Sequence, residues 1–266
     1  VATGKLPEAM AVYMVGACID GSGAGLRASS PGGRNQFSGF YLAAGVENVT
    51  GNGTIGAAVS YTDMDGTTLV ATQTGDGQLF QGTLFGVRHF GKVLVDGQFS
   101  AGLHESQTLR QVAIGPVSQT RRGNKSRLAF SSEVGASYLK AARRVEINPR
   151  VSVRVANLGF SDMSEIGGDA ALRYNLGNST SVQSRPGAAM STRGKPVRAY
   201  VSTNFVHELG ELATSAGVNF AAGIGTPAVF LLPATDRNWV ELSVGLNYGK
   251  GPLTVGLAGD TAIWRD

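Results

Sequence analysis

Alternation of apolar and polar residues is the feature that most constrains how this chain can fold. It is clearest in the segment 145–155. Apolar residues fall on one face there: Val145, Ile147, Pro149, Val151, Val153 and Val155. Polar residues fall on the other: Glu146, Asn148, Arg150, Ser152 and Arg154. Successive side chains of a strand point to opposite faces, whereas a helix would mix the two sets. The segment is therefore predicted as a β-strand with one apolar and one polar face.

Eleven segments of alternating character are predicted as strands: 11–19, 39–47, 54–62, 79–90, 93–104, 127–139, 145–158, 181–191, 197–207, 238–248 and 253–264. The connections between them alternate strictly between long and short. The short ones are rich in the Gly, Asn and Lys typical of turns. Up-and-down antiparallel strands place all short turns at one end and all long loops at the other, as in outer-membrane barrels. A Greek-key sandwich has no reason to keep this alternation.

The composition agrees with a membrane barrel. Charged residues make up 16% of the chain, against about 25% in an ordinary soluble domain. No window approaches the ~18 uninterrupted apolar residues of a spanning helix. Gly, Ser and Ala stand between the charges on the polar faces, and small residues suit a crowded lumen. We therefore expect an all-β, transmembrane, up-and-down antiparallel barrel with its apolar faces towards lipid. A soluble barrel with those faces inside, around a small apolar ligand, is an alternative.

Two sets of side chains are assigned places in this barrel. Charged residues on the polar faces are predicted to line the lumen and to pair across it: Glu47, Asp96, Glu133, Glu146, Arg150, Arg154, Arg185, Arg198, Glu241 and Asp260. Aromatic residues are predicted to form girdles at the two lipid interfaces: Tyr13, Phe40, Tyr61, Phe90, Tyr138, Phe205, Trp239, Tyr248 and Trp264.

Motifs for covalent chemistry and cofactors are weak. The segment 51–56 fits the dinucleotide pattern G-x-G-x-x-G, but a strand follows where a helix should receive the pyrophosphate. His89, His104 and His207 lie on different predicted strands, without metal-ligand spacing. Cys18, the single cysteine, is interpreted as a small apolar filler. No catalytic, cofactor-binding or metal-binding residue is predicted, and the scattered Lys and Arg residues argue against nucleic acid binding.

Several stretches, taken in order, carry a family resemblance. They are 39–47 (GFYLAAGVE), 54–61 (TIGAAVSY), 147–149 (INP), 165–172 (EIGGDAAL), 185–187 (RPG), 205–208 (FVHE), 236–239 (DRNW) and 245–246 (GL). Each stretch alone is weak, but together they cover nearly the whole chain. In this order they resemble the C-terminal translocator barrel of autotransporters, the type V secretion family.

The resemblance implies a barrel of twelve strands. Eleven are predicted here, and the chain stops at Trp264-Arg265-Asp266, where the family continues into a last strand. We therefore expect a twelfth strand in the native protein, because bare strand edges in lipid cost several kcal/mol per group. The alternative is that part of 212–233 supplies another strand. Residues 1–10 are expected to be the end of a linker from an upstream passenger, and residues 11–266 the barrel.

The implied function is to anchor an N-terminal passenger domain and export it to the cell surface, without enzymatic activity. The expected location is the bacterial outer membrane, and the expected state is a monomer. The expected partners are the covalently attached passenger, the outer-membrane assembly machinery, lipid and lipopolysaccharide. The lumenal charges would guide the passenger or grip a linker helix. The alternative membrane function is a free-standing porin- or adhesin-like barrel, in which long loops near 105–126 and 208–237 bind partners or ions.

Overall fold

The described part of the chain is built from β-strands joined by turns. The structure, a computed structural model, describes residues 10–24, 34–68, 73–114, 117–158, 162–168, 170–175, 179–193, 196–210, 215–223, 226, 228–231, 236–250 and 253–263. Its strands are β1 (Met10–Ala24), β2 (Arg34–Thr50), β3 (Gly53–Thr68), β4 (Gln73–Phe90), β5 (Val93–Ile114), β6 (Val117–Tyr138), β7 (Lys140–Ala142), β8 (Val145–Leu158), β9 (Met163–Ile166), β10 (Leu172–Asn175), β11 (Ser179–Thr192), β12 (Val197–Glu208), β13 (Ser215–Phe220), β14 (Ala228–Leu231), β15 (Asn238–Lys250) and β16 (Leu253–Ile263). Within these ranges, no helix is long and apolar enough to cross a membrane.

Eleven of these strands follow one another in a single antiparallel sheet. Their order is β1-β2-β3-β4-β5-β6-β8-β11-β12-β15-β16, so each pairs with the next along the path. Each overlaps one of the eleven segments predicted from alternation, and the up-and-down topology is confirmed. The sheet ends at β1 and β16, which pair with β2 and β15 respectively among the described residues. The twelfth strand stays a prediction.

The sheet is curled, and its two faces differ in polarity. Tyr13 of β1 reaches Phe85 of β4, with ring centroids 6.2 Å apart, although β2 and β3 lie between them. Side chains so far apart in strand order meet only on a concave face. On the convex face Leu84 is 63% exposed and Val151 57% exposed. The prediction that the apolar faces point outwards is therefore confirmed, and this is the arrangement of a membrane barrel.

A glycine makes the contact between Tyr13 and Phe85 possible. Tyr13 stands opposite Gly45 in the β1–β2 register. A Cβ atom on Gly45 would lie 2.5 Å from the Tyr13 ring, so this aromatic ring lies flat over a residue without a side chain. Tyr13 therefore belongs to the concave face. Its assignment to a lipid interface was wrong, because height in the strand was considered and the face was not.

The strands are longer than predicted at the end opposite the short turns. β5 and β6 have 22 residues each, whereas about 9–11 residues suffice to cross the membrane. On their convex face the side chains change from apolar, at Leu103 and Leu128, to polar, at Glu105 and Ser126. The predicted loop 105–126 is therefore mostly a hairpin that continues the sheet beyond its apolar belt.

Four short strands continue the sheet on the other side. β9, β10, β13 and β14 lie in the long connections between the predicted strands, and they pair in the order β6-β9-β10-β13-β14. This order repeats the path β6-β8-β11-β12-β15 below them. The segment 212–233 thus contains strands, but they pair beside β10 and lie off the path from β1 to β16. The upper tier, as we call this region, consists of β9, β10, β13 and β14 together with the parts of β3 to β6 beyond Tyr61, Phe80, Leu103 and Leu128, away from the short turns.

We call the remaining part of the sheet, towards the short turns, the lower tier. The register between the lower tier and the upper tier is nearly continuous. Leu158 faces Ser179, and Ser164 faces Arg173, so the pairing of β8 with β11 and the pairing of β9 with β10 keep the same register. Along β6 the register shifts by one residue. Ala129 faces Leu158 and Gly123 faces Glu165, so six steps on β6 match seven steps on its partner. One extra residue therefore separates the tiers at this edge.

We expect Leu84→Arg to destabilise the protein by about 2–4 kcal/mol, because it puts a charge at mid-height on the convex face. Thr120→Arg is the matched control, since Thr120 is exposed on the convex face of the upper tier. It should change stability by less than about 0.5 kcal/mol. Denaturant unfolding of the chain folded into lipid vesicles measures both values. Equal effects of the two substitutions would contradict the assignment of the convex belt to lipid.

Candidate functional site

The concave face carries a charged cluster in its lower half, centred on Arg150 of β8. Its guanidinium donates from Nε to Asp96 of β5 at 3.2 Å and from Nη1 to Glu133 of β6 at 2.8 Å. Ser152 completes the cluster by donating to Glu133 at 2.9 Å. Alternation brings these side chains to one face, and the arginine is long enough to span two neighbouring strands. The cluster links three strands from one side.

A cavity of about 370 Å³ lies beside this cluster. Glu47, Asp96, Glu133 and Arg150, all predicted as lumenal, line it together with Phe85. Glu47 comes from β2, so the cavity wall extends from β2 to β8 across the curl of the sheet. Charged side chains from four strands therefore border one open cavity on the concave face.

A second cluster joins β11 to β15. Arg185, which is buried, forms an ion pair with Glu241 and donates to Gln183 at 3.0 Å. Trp239 donates its indole N–H to the same Glu241 carboxylate at 3.1 Å. Trp239 is only 4% exposed and faces Val206 across the sheet. Its predicted place at a lipid interface is therefore wrong: it lies two residues from Glu241 and shares the face of that residue.

The other predicted charges lie on the same face without joining these clusters. At the rim formed by the short turns, Glu146 lies 4.0 Å from Nε of Arg193, and Arg198 donates to Ser191 at 3.5 Å. Arg154 faces Glu133 in register, but its Nε has no hydrogen-bond partner in the part of the chain that the structure describes. Asp260 is exposed on β16, the last strand of the path.

A polar concave face and an apolar convex face on an up-and-down sheet are the features of one kind of outer-membrane protein. The model of the family described as "Autotransporter beta-domain" matches residues 19–260. The chain belongs to this family. Its function is that of the outer-membrane translocator of an autotransporter, and family membership implies a linked passenger domain.

Solved autotransporter structures share the fold. The chain is similar to the translocator domain of NalP from Neisseria meningitidis, with 12% identity, a TM-score of 0.65, and coverage of 96% of this chain and 87% of that one. It is similar to the transport unit of AIDA-I from Escherichia coli, with 12% identity, a TM-score of 0.59 and coverage of 100% and 88%. For the β-domain of the Bordetella autotransporter BrkA the identity is 14%, the TM-score 0.56 and the coverage 97% and 94%. No curated protein matched the chain.

In this autotransporter β-domain, six of the nine predicted interface aromatics lie on the convex face, as the pairing register and their neighbours show: Phe40, Tyr61, Phe90, Tyr138, Phe205 and Tyr248. The ring centroids of Phe40 and Tyr61 lie 5.9 Å apart. Phe90 lies under the Arg88 guanidinium at 5.4 Å, beside the β4–β5 turn. Trp264 lies outside the described residues. That these aromatic rings sit at lipid interfaces stays a prediction.

The upper tier contains a cluster that sequence reasoning missed. Glu165 of β9 is buried and accepts two hydrogen bonds from Arg110 of β5, at 2.9 and 2.5 Å. Tyr174 of β10 donates to it at 3.0 Å, and so does the backbone amide of Leu172. This carboxylate therefore fastens the β9–β10 hairpin to β5. No local pattern indicates it, because Arg110 and Glu165 are 55 residues apart in sequence.

The surroundings of Glu165 shift the pKa values of two groups in the cluster, Glu165 and Tyr174. Burial tends to raise the pKa of Glu165, but the hydrogen bonds from Arg110, Leu172 and Tyr174 outweigh it and the pKa is lowered. Burial, followed by the Glu165 charge, raises the pKa of Tyr174 to about 12. The carboxylate thus stays ionised and the phenol stays a donor over the whole neutral range.

Glu208, at the end of β12, is a second buried carboxylate that the sequence did not single out. It accepts hydrogen bonds from the Ser181 hydroxyl at 2.5 Å, from the Val182 amide at 2.8 Å and from the Gly210 amide at 3.0 Å. It fixes the top of β12 to β11, where the lower tier ends. In the described residues, no three His, Cys, Asp or Glu side chains are grouped to hold a metal ion.

We expect Arg150→Gln to destabilise the fold by about 2 kcal/mol, because it leaves two half-buried carboxylates facing each other. Adding Asp96→Asn and Glu133→Gln should restore most of that loss, since a neutral polar cluster has no uncompensated charge. Denaturant unfolding of the single, double and triple variants gives the coupling energy. Simple additivity of the three substitutions would show that the cluster does not act as a unit.

The β9–β10 hairpin should loosen in acid. A lowered pKa means that Glu165 contributes stability above its unfolded pKa and that this contribution is lost as the pH falls through the folded pKa. We therefore expect the Leu172 amide to lose protection below about pH 4, measured by hydrogen exchange corrected for the intrinsic rate. In Glu165→Gln the protection should be weaker at neutral pH and should lack the acid step. A wild-type protein whose protection is independent of pH would refute this role.

Proposed function

We propose that this autotransporter β-domain lies in the bacterial outer membrane and carries a covalently attached N-terminal passenger to the cell surface along its concave face. The observation that supports this most directly is the division of the sheet into an apolar convex face and a charged concave face. Hydrocarbon can contact the first, and only water or a polar chain can contact the second at low cost. A hydrated conduit follows from this division.

The conduit acts by geometry and electrostatics, without covalent chemistry of its own. The carboxylates of the Arg150 and Arg185 clusters are held by ion pairs and hydrogen bonds between strands. Such pairs keep the wall rigid while they leave a polar surface for a moving chain. The predicted lumenal charges, Glu47 and Arg154 among them, are proposed to line this conduit.

The proposed assembly is a monomer inserted by the outer-membrane assembly machinery, with lipid and lipopolysaccharide around its convex belt. Among the described residues, β1 and β16 each pair on one edge, and this supports a further strand between them, because backbone groups in hydrocarbon need hydrogen-bond partners. Residues 1–10 are proposed to lead into the barrel from the passenger. Of these, residues 1–9 lie outside the described residues and Met10 begins β1.

A reporter domain fused before Val1, behind a secretion signal, tests the proposal in a Gram-negative host. We expect protease added to intact cells to remove the reporter, because the barrel exports it. Leu84→Arg is a variant that should reduce insertion and display together. A reporter that stays protected inside cells while the wild-type barrel is folded in the outer membrane would overturn the proposed function.

A further inference from the structure

Three pairs of one aromatic and one cationic side chain stand where the convex face reaches the short turns. The two members of a pair are two positions apart along the chain, so they point to the same face. The pairs are Arg88 with Phe90, Tyr138 with Lys140, and Tyr248 with Lys250. All of these side chains are exposed, and they lie at or next to the ends of β4, β6 and β15. Charge therefore borders the apolar convex belt at this end of the sheet.

The pairing register places the three cations on the lipid side of the sheet. Residues directly opposite each other in a ladder share a face. Each cation stands opposite an exposed aliphatic residue of the convex belt: Val95 for Arg88, Ile147 for Lys140 and Leu253 for Lys250. Among the described lower-tier residues of β4 to β8, the carboxylates Asp96, Glu133 and Glu146 alternate onto the concave face. The convex face of these strands thus carries positive charge at the short turns.

Two of the pairs lie side by side and form what we call the Arg88 site: Arg88, Phe90, Val93, Tyr138 and Lys140. Phe90 faces Val93 on one side of β5, and Tyr138 faces it on the other, so the two rings flank it in one row. They are two strand spacings apart, about 10 Å. The Arg88 guanidinium lies over the Phe90 ring, which brings its charge towards the water at the short turns.

The turns that carry the Arg88 site are fixed to each other. The Leu139 amide donates to the Lys92 carbonyl at 2.8 Å, so the β4–β5 turn and the end of β6 are joined through their backbones. The rings and the cations of the site therefore keep their spacing without a ligand, and little conformational entropy is lost when one binds.

We propose that the Arg88 site binds the headgroup of an anionic phospholipid. The inference rests on the proposed function, which places the convex belt in the outer membrane. Short turns of outer-membrane barrels lie on the periplasmic side, where phospholipids form the leaflet, whereas lipopolysaccharide lies on the side of the long loops. The rings of Phe90 and Tyr138 contact the glycerol and upper acyl region, and the charges of Arg88 and Lys140 contact the phosphate.

The charge of the headgroup decides which phospholipid binds. A zwitterionic headgroup brings its own cation close to Arg88 and Lys140, and this repulsion cancels part of the attraction to the phosphate. An anionic headgroup with a neutral glycerol brings no cation. The Arg88 site therefore selects by net charge, and its aromatic rings restrict it to ligands that carry acyl chains.

The test uses the whole chain folded into phosphatidylcholine vesicles, with Tyr138→Trp as a fluorescent reporter that keeps an aromatic ring in the Arg88 site. Dibrominated phosphatidylglycerol or dibrominated phosphatidylcholine is included as the quencher. The chain without the substitution gives the background from its own tryptophans. The ratio of the two quenching curves is the relative affinity of the site for the two lipids. We expect phosphatidylglycerol to be preferred about fivefold.

The double variant Arg88→Gln/Lys140→Gln in this background should lose the preference, because both charges of the site are removed. Arg88→Lys/Lys140→Arg keeps the charges and should keep the ratio within about twofold of its starting value. The matched control is Arg193→Gln/Arg198→Gln, which removes the same charge at the same end of the sheet, beside Glu146 and Ser191 of the concave face. It should also change the ratio by less than about twofold.

Folding of each variant is checked by its heat-dependent shift on a gel. Lys140→Gln alone, at an exposed position, gives a second reading with an expected loss of about twofold. Equal quenching by the two lipids in the Tyr138→Trp chain, or equal losses in the convex and concave double variants, would overturn the inference. So would displacement of the brominated lipid by an excess of a soluble anion, either glycerol phosphate or a decapeptide of Glu and Gly.

Reporter display separates this inference from the proposed function. A barrel that displays the reporter but shows no preference for phosphatidylglycerol refutes the lipid site alone. A barrel that folds in the outer membrane and fails to display the reporter refutes the conduit.

Discussion

Backbone hydrogen bonding in hydrocarbon is the constraint on which this structure depends. A chain that crosses the membrane as strands must pair every N–H and C=O with a neighbouring strand, because lipid offers no partners. The sheet meets this need with long antiparallel ladders from β1 to β16. Once the ladders are fixed, alternation decides the rest. Every second side chain faces lipid, and the others face the concave side, where charges find each other.

Cross-strand ion pairs are the second level of organisation. Arg150 joins β8 to β5 and β6, Arg185 joins β11 to β15, and Arg110 joins β5 to β9. Three of these contacts, from Arg150 to Asp96, from Arg185 to Glu241 and from Arg110 to Glu165, join strands that have one other strand between them in the sheet. The contact from Arg150 to Glu133 joins two adjacent strands. Half-buried pairs of this kind add little net energy, but they fix which strands can approach on the concave side.

The sequence allowed the lower tier to be predicted and concealed the upper one, for a physical reason. In the lower tier one face meets lipid, so residues such as Val151 and Val153 alternate with Arg150 and Ser152. In 104–126 both faces meet water, and no alternation of polarity marks the strands. Trp239 was misplaced although its spacing of two residues from Glu241 indicated the concave face. Tyr13 was misplaced because its position opposite Gly45 is visible only in the strand register. The partners of Glu165 could not be inferred, because only folding brings Arg110 beside it.

The one-residue offset along β6 separates two regions with different tolerances. In the membrane a slip of register would turn every apolar side chain towards the bore, so the lower tier accepts no change of length. Above the offset both sides of the sheet are wet, and a slip there does not pass down into the lipid-facing ladder. The upper tier can therefore gain or lose residues independently of the lower tier. Related chains should vary in length in the hairpins of the upper tier and keep constant spacing in the lower tier.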